Sequence, residues 1–427
     1  MKRKTLLGIA GAMFIMWVCS AHTYAQTSDT LRVNLNEVEQ TFLEKNLLLL
    51  AQHYQVNADS ALITQARLWD NPVLSTDQNV YANRRFFEHG VNPDGTPRGQ
   101  FLVQVEQLIQ LGGKRSKNVA LAGTNATITY WQFIDLMRTL KLELRNNYYT
   151  LIQALNLSRL YAEEDGHLDQ LVKGMQAQLQ AGNIARKDLL RLQALQLTLH
   201  QKIADNHQQI EDLEASLRTL LQTGPQSILI PSEQMNNKVV LPQLQDAMTT
   251  AIEYNPEYKI ENYRLTGTTQ NLAVQKAMAV PDLTISPNFD QNSNYTPNYW
   301  GLGLSIPIPV FNRNQGNIKA AQFQIRSQQA VVDNKRIALQ NNVAAAYNKL
   351  FAVQKMNADN QDAFYKDYDA LYDNIVQSYK QRQLSLVEFI DYHQAYLDVM
   401  SQKSNLALQL QLAKEELNFQ SGADLVK

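Results

Sequence analysis

Two hydrophobic patterns alternate along this chain, one of period two over short windows and one of three-and-four spacing over long ones. From Pro281, the residues Leu283, Ile285 and Phe289 alternate with Asp282, Thr284, Asn288 and Asp290. After a polar turn, Trp300, Leu302, Leu304, Ile306 and Ile308 alternate with Gly301, Gly303 and Ser305. Such alternation over about ten residues predicts strands with one apolar and one polar face, long enough to cross a bilayer when tilted. An earlier window repeats it less cleanly: Phe101, Val103, Val105 and Ile109 stand against Gln104, Glu106 and Gln110, with Val73 to Tyr81 as the partner strand. Trp69, Tyr81, Phe86, Phe87, Tyr299 and Trp300 fall near strand ends, where a membrane-interface girdle places aromatics; a soluble hairpin could carry the same residues.

The long windows predict helices. All 12 prolines avoid two stretches, Arg98 to Gly224 and Val310 to the end, and an extended helix interior is where proline is not accepted. Lys114 to about Leu179 would span roughly 90 Å at 1.5 Å per residue. The next tract carries Leu192, Leu195, Leu199, Ile203, Ile210, Leu213, Leu217 and Leu220, and its later counterpart Phe389, Ile390, Leu397, Leu406, Leu410 and Leu417, which are coiled-coil seams. Both read as packing. No segment after the N-terminus has eighteen consecutive apolar residues, so no transmembrane helix is predicted.

The two halves repeat. Asn46 and Asn255 each precede a proline, Pro72 and Pro281, by 26 residues; Leu111 and Phe311 each precede Gly182 and Arg382 by 71; Asp188 and Glu388 lie six further on. The offset between halves drops from 209 to 200 within the strand windows. Duplication with one loop of different length accounts for this. It divides the chain into a first repeat at 26–224, a linker at 225–241 and a second repeat at 242–427.

Composition adds limits. Lys2, Arg3 and Lys4, the apolar run Leu6 to Val18 and Thr23-Tyr24-Ala25 have the layout of a secretory signal peptide, predicted to cover residues 1–25. Removing it takes the formal charge from -1 to -4, too mild and mixed for nucleic-acid binding. The single cysteine, Cys19, leaves with it; lipidation there is the alternative, although Met16-Trp17-Val18 lacks the small residues such signals carry. His53, His89, His167, His200, His207 and His393 are dispersed and read as surface or lumen residues, with no metal centre, cofactor or catalytic constellation.

Four strands cannot close a membrane barrel, and an open sheet in lipid leaves edge N–H and C=O groups unpaired at several kcal/mol each. Copies must supply the missing strands. Two would give eight strands around a filled core; three would give twelve around a water-filled lumen. The residues permit either.

Over nearly all of this length the chain resembles the TolC-like outer membrane efflux proteins. Ile306 to Ile318, with Pro307, Pro309, Asn312 and Arg313, is similar to the strand-to-helix junction of the heavy-metal (CusC and CzcC-like) branch, and Leu111-Gly112-Gly113-Lys114-Arg115 to the matching junction of the first half. Gly112-Gly113-Lys114 lacks the spacing of a phosphate loop. The resemblance implies a mainly α fold with a membrane β-barrel: a homotrimer with four strands per protomer in a 12-stranded barrel, standing in the outer membrane on a long periplasmic coiled-coil barrel. It implies a passive efflux duct and no enzyme, with a periplasmic adapter and an inner-membrane RND-type pump as partners. Two helix reversals match the family's periplasmic, adapter-docking tips: Gly182-Asn183 and Arg382-Gln383-Leu384, the second with arginine where glycine is usual. By the same resemblance Glu388 and Asp391 ring the closed entrance, where their i, i+3 spacing shares one helix face and favours cations. Tyr379 and Asp188 match a gate-holding hydrogen bond, expected to be weaker because Leu384 replaces an arginine. Read without the family, these four are ordinary solvated helix residues.

Rival readings differ in class. A polypeptide-secretion duct would share every feature above. A periplasmic adapter would need a β domain inside one hairpin, and Lys114 to Gly224 holds none. A structural coiled-coil protein gives no reason for two matched amphipathic hairpins.

Overall fold

The computed structural model describes residues 30–235, 239–358 and 361–426; the predicted signal peptide, Cys19 included, lies outside them. β1 (Thr30–Val33) leads into α1 (Leu35–Lys45) and α2 (Leu47–Arg67), then β2 (Val73–Gln78), two short strands β3 (Tyr81–Ala82) and β4 (Arg85–Phe86), and β5 (Phe101–Ile109). α3 (Lys114–Gln180) and α4 (Arg186–Leu221) complete the first repeat, and β6 (Ile228–Pro231) lies in the segment expected to be a linker, paired in parallel with β1. The second repeat holds α5 (Leu244–Tyr254), α6 (Pro256–Met278), β7 (Leu283–Asn292), β8 (Pro297–Ser305), α7 (Gln315–Ala358), α8 (Gln361–Lys380) and α9 (Leu386–Ser421). Within the first proline-free stretch, Lys114–Gln180 is one 67-residue helix, about 100 Å long.

Both predicted hairpins form, and they join through β5 and β7 into one antiparallel sheet of order β2-β5-β7-β8. Cross-strand register separates the two faces. Thr76, Val103, Phe289 and Trp300 make one row, and Gln107, Ile285 and Leu304 another on the same side. Ser75, Gln104, Asn288 and Gly301 form a row on the opposite side, next to Asp77, Leu102, Asp290 and Tyr299. Trp300 (78 % exposed), Leu302 and Leu304 stand uncovered on the apolar side. β2 and β8 each have one neighbour, so the chain ends its sheet with two free edges.

The same hinge is built twice. Asn46 ends α1 and Asn255 ends α5 with nearly identical extended backbone, φ -66 and -65, ψ 117 and 118. Each then caps the next helix, Asn46 Oδ1 accepting from Leu48 and Leu49 N–H and Asn255 Oδ1 from Tyr258 N–H. Each side-chain amide also donates to the returning helix, Asn46 to Leu220 O at 3.0 Å and Asn255 to Gln420 O at 3.2 Å. Asparagine serves because it offers donor and acceptor at once. Around these hinges lie two related cores: Val38, Phe42 and Leu217 in the first repeat, Ala247, Ala251 and Leu417 in the second. A third core, with Leu192, Leu195, Phe389 and Leu397 of the predicted seams, joins both hairpins toward their tips.

Where strands give way to helices the chain must bend. Gly112 and Gly113 adopt φ +66 and +70 in succession, a left-handed path that costs glycine nothing. Lys114, its side chain 6 % exposed, ends in an ion pair with Asp282 at 2.7 Å, and Asp282 also accepts from Leu111 N–H. The second junction runs from Ser305 through Pro307 and Pro309 and turns on Asn314, at φ +57. Asn312 Oδ1 accepts from Asn314 N–H, Arg313 Nε donates to Pro309 O, and Asn314 Nδ2 donates to Gln275 O. Asn314 thus takes the left-handed residue's place at this second bend. Asp282→Ala leaves the Lys114 ammonium buried without its partner and should destabilise the protein by roughly 3 kcal/mol, measured as a lowered urea midpoint in detergent; an unchanged midpoint would remove this pair as the pin between the repeats.

Candidate functional site

The two helix reversals have the same construction. After α3, Gly182 N–H bonds to Leu179 O and Asn183 N–H to Gln178 O; after α8, Arg382 N–H bonds to Tyr379 O and Gln383 N–H to Ser378 O. This is the paired-bond ending in which the helix's last carbonyls are met by a left-handed residue. Gly182 sits at φ +77 and Arg382 at φ +61, so arginine keeps the turn shape at the cost of roughly 1 kcal/mol of backbone strain. Its side chain has its own use: Nη2 donates to Gln178 Oε1 at 2.6 Å, linking the second tip to the first. Ile184 and Leu384, one residue beyond each turn, are both half-buried.

Glu388 has a local role that the spacing alone does not reveal. Ser385 caps α9, and Glu388 closes a reciprocal box, accepting from Ser385 N–H at 2.9 Å and Ser385 Oγ at 2.7 Å. These two hydrogen bonds hold its carboxyl below the usual range. Asp391 is exposed on the same face. In the first repeat the equivalent cap is Ala185, which makes no side-chain bond, although its backbone is extended and Asp188 stands in the first turn. Tyr379 Oη donates to Met175 Sδ at 3.4 Å, with its pKa raised by burial and secondarily by the charge of Asp188. Among the described residues no hydrogen bond joins Tyr379 to Asp188.

One buried polar cluster went unread in the sequence. His393, expected at the surface or in the lumen, is 0 % exposed. It occupies the apolar seam of α9, four residues after Phe389 and four before Leu397, and that position was the available signal. Tyr372 Oη lies 2.6 Å from both Glu164 Oε2 and His393 Nδ1. His167 Nδ1 reaches the other oxygen of Glu164 at 3.3 Å. Burial pushes the Glu164 carboxyl up, but hydrogen bonds from His393 and Tyr372 and the charge of the two imidazoles outweigh it and hold it low. Of the other histidines, His200 contacts Asp165 at 2.8 Å. Among the described residues no group of three His, Cys, Asp or Glu could hold a metal.

A family model described as outer membrane efflux protein matches residues 38–223 and 249–423, the two repeats in turn. The cobalt-zinc-cadmium resistance protein CzcC of Cupriavidus metallidurans is 24% identical over 311 residues, covering 71% of this chain and 70% of its own. The nickel and cobalt resistance protein CnrC of the same organism is 22% identical over 297 residues, 69% of this chain and 68% of its own. Among solved structures, the CmeC outer membrane channel of Campylobacter jejuni superposes with a TM-score of 0.74 at 14% identity, over 95% of this chain and 91% of that one.

The unequal caps give a direct expectation. Ser385→Ala should cost about 1 kcal/mol and Ala185→Ser should add up to about 1 kcal/mol, both read as chemical stability and as protease resistance of the tips. Because Glu388 is held low, its box contributes above the usual carboxylate range and is lost as pH falls through that lowered value. An Ala185→Ser variant no more stable than the parent would mean that Ala185 is not a vacant cap.

Proposed function

Since the chain belongs to the outer membrane efflux protein family and is the outer-membrane channel component of an efflux system, we propose that three copies close one barrel and form a gated, passive conduit joined to a periplasmic adapter and an inner-membrane pump. The observation that carries this reading is the sheet: four strands, two free edges and one uncovered apolar face. With β2 and β8 antiparallel across the sheet, β8 of one copy can pair with β2 of the next, and closure meets every edge N–H and C=O. The face bearing Trp300, Leu302 and Leu304 then turns to lipid, and the row of Ser75, Gln104 and Asn288 lines the lumen. Exposed apolar residues on α1 and α2, among them Leu43, Leu47, Leu50 and Leu62, give neighbouring copies a further surface to cover.

In this trimer the tips at Gly182-Asn183 and Arg382-Gln383-Leu384 dock the adapter, and Glu388 and Asp391, brought together by threefold symmetry, favour cations at the constriction. Tyr379 precedes the second reversal and Asp188 follows the first, near enough for the charge of Asp188 to act on the Tyr379 phenol. The cargo we infer is a metal cation, supported by the two curated relatives, whose names are those of cobalt, zinc, cadmium and nickel resistance proteins.

Two measurements test this. Unheated protein should migrate as a trimer on denaturing gels and as a monomer after boiling; a monomer under both conditions would end the barrel reading. In planar bilayers, Glu388→Gln with Asp391→Asn removes the charge while glutamine can still accept from Ser385, so conductance should lose its block by divalent cations without loss of fold. A deletion strain should become sensitive to cobalt, zinc, cadmium or nickel; sensitivity to organic drugs alone would replace the cargo and leave the duct.

A further inference from the structure

Glu164, Tyr372 and His393 come from α3, α8 and α9 and meet away from solvent, the Glu164 side chain being 3 % exposed. Counting protons assigns the contacts. Tyr372 Oη has a single hydrogen and gives it to Glu164 Oε2; its 2.6 Å contact with His393 Nδ1 must then be donated by the imidazole. His393 is therefore protonated on Nδ1, and Nε2 is its open end. Nε2 is buried and has no hydrogen-bond partner among the described residues. The ring borders a cavity of about 180 Å³ between α4 and α9, whose polar lining is Thr198, Lys202, Gln394 and Asp398. That is room enough for water, which can carry a proton to the free nitrogen.

We propose that His393 is a proton-operated clamp: protonation at Nε2 from this cavity turns its 3.3 Å contact with Glu164 into an ion pair and tightens the second hairpin onto the first. The surrounding charges favour this direction. α3 presents Glu164, with His167 on its far oxygen, and Glu163 nearby. α8 presents Tyr372 and Asp373, together with Asp369, which accepts from Tyr396 of α9 at 2.6 Å. α4 presents Lys202, and that ammonium lies 3.6 Å from Asp398 of α9. Glu164 stays ionised as the solution is acidified toward the carboxylate range, because hydrogen bonds and neighbouring charge outweigh its burial and hold it low. The new positive charge meets a carboxylate, so the clamp gains strength as the imidazole takes up its proton. It is lost only when pH falls further, through the lowered value of Glu164 itself. α9 begins at Leu386, so the clamp lies about 10 Å from the end of the helix that carries Glu388 and Asp391.

The contacts lie within one chain, so the test does not depend on the number of copies. Hydrogen exchange of the full-length protein in detergent, corrected for the intrinsic pH dependence, should show α8 and α9 gaining roughly tenfold protection between pH 8 and pH 5.5, the difference between a neutral and a charge-assisted hydrogen bond. His393→Gln keeps a donor but cannot take up the proton, and should exchange equally at both pH values; His167→Gln should keep the gain. If the buried glutamine at 393 does not fold, Glu164→Gln removes the opposing charge instead and should also abolish the gain. A flat response in the parent protein, or a gain that survives His393→Gln or Glu164→Gln, overturns the clamp.

Discussion

A strand edge in lipid has no solvent to fall back on, and the rest of this molecule is arranged around that fact. The inner strands β5 and β7 are flanked on both sides, while β2 and β8 each offer an unpaired row. Each unmet group would cost several kcal/mol in hydrocarbon. No rearrangement inside one chain removes the two edges, because the sheet is already built from both repeats and its outer strands are the first and last of the four. In the proposed assembly the demand for sister copies therefore originates in hydrogen bonding, and the helices inherit it. Their uncovered apolar residues on α1 and α2 lie outside the buried cores of one chain, which is what a protomer of a larger barrel should display.

The duplicated frame makes the two halves direct controls for each other. Asn46 and Asn255 show one device kept intact, with matching backbone angles and matching bonds to the returning helix. At the bends, two consecutive glycines in the first half face a polar Asn-Arg-Asn solution in the second, where side-chain amides and a guanidinium satisfy the backbone that glycine leaves free. Arg382 stands where Gly182 does, in the same left-handed conformation. Ser385 caps its helix and Ala185 does not. Geometry is preserved while local chemistry drifts, because many side chains can satisfy a turn but few backbone paths can connect a tilted strand to a helix about 100 Å long.

What the sequence disclosed followed from periodicity and exclusion. The absence of proline disclosed where long helices run, the glycines at 112–113 and 182 lie within two residues of the ends of Lys114–Gln180, and the alternation of Ile285, Leu302 and Leu304 disclosed the strands and their wet face. The seams at Leu192, Leu195, Phe389 and Leu397 are buried as their spacing required. Long-range pairing stayed hidden. Nothing local joins β5 to β7, Lys114 to Asp282, or Glu164 to Tyr372, since those partners are 168 or more residues apart and depend on how the repeats face each other. His393 was misplaced for a related reason. A polar side chain on an apolar stripe is normally taken to point outward, and here a tyrosine and a glutamate from two other helices satisfy it inside. The cap at Glu388 was visible as Ser385 three residues before it, but a resemblance that supplied a gate role for the residue drew attention from the simpler local one.

The contacts between the two hairpins are graded along their length, and the gradient bears on how a gate could work. Nearest the tip, the hairpins are joined by Arg382 to Gln178, an exposed hydrogen bond, and by Tyr379 to the sulfur of Met175, a weak acceptor. Seven residues deeper on α8, Tyr372 joins Glu164 and His393 in a buried, charge-assisted network. Exposed polar contacts lose most of their worth to competing water, whereas buried charged ones keep it and cost several kcal/mol to break. A pull on the tips therefore breaks no buried charged contact for about 10 Å and then meets a firm stop. Such a layout lets the ends of the hairpins part at the expense of the outer edge of the core, where Phe389 stacks on Tyr379 with ring centroids 4.5 Å apart, while the deeper part around Leu168 and Leu397 stays packed. The strained left-handed Arg382 belongs to the same logic, because it lowers the stability of the end that would move in the proposed gate and leaves the rest of the helices untouched.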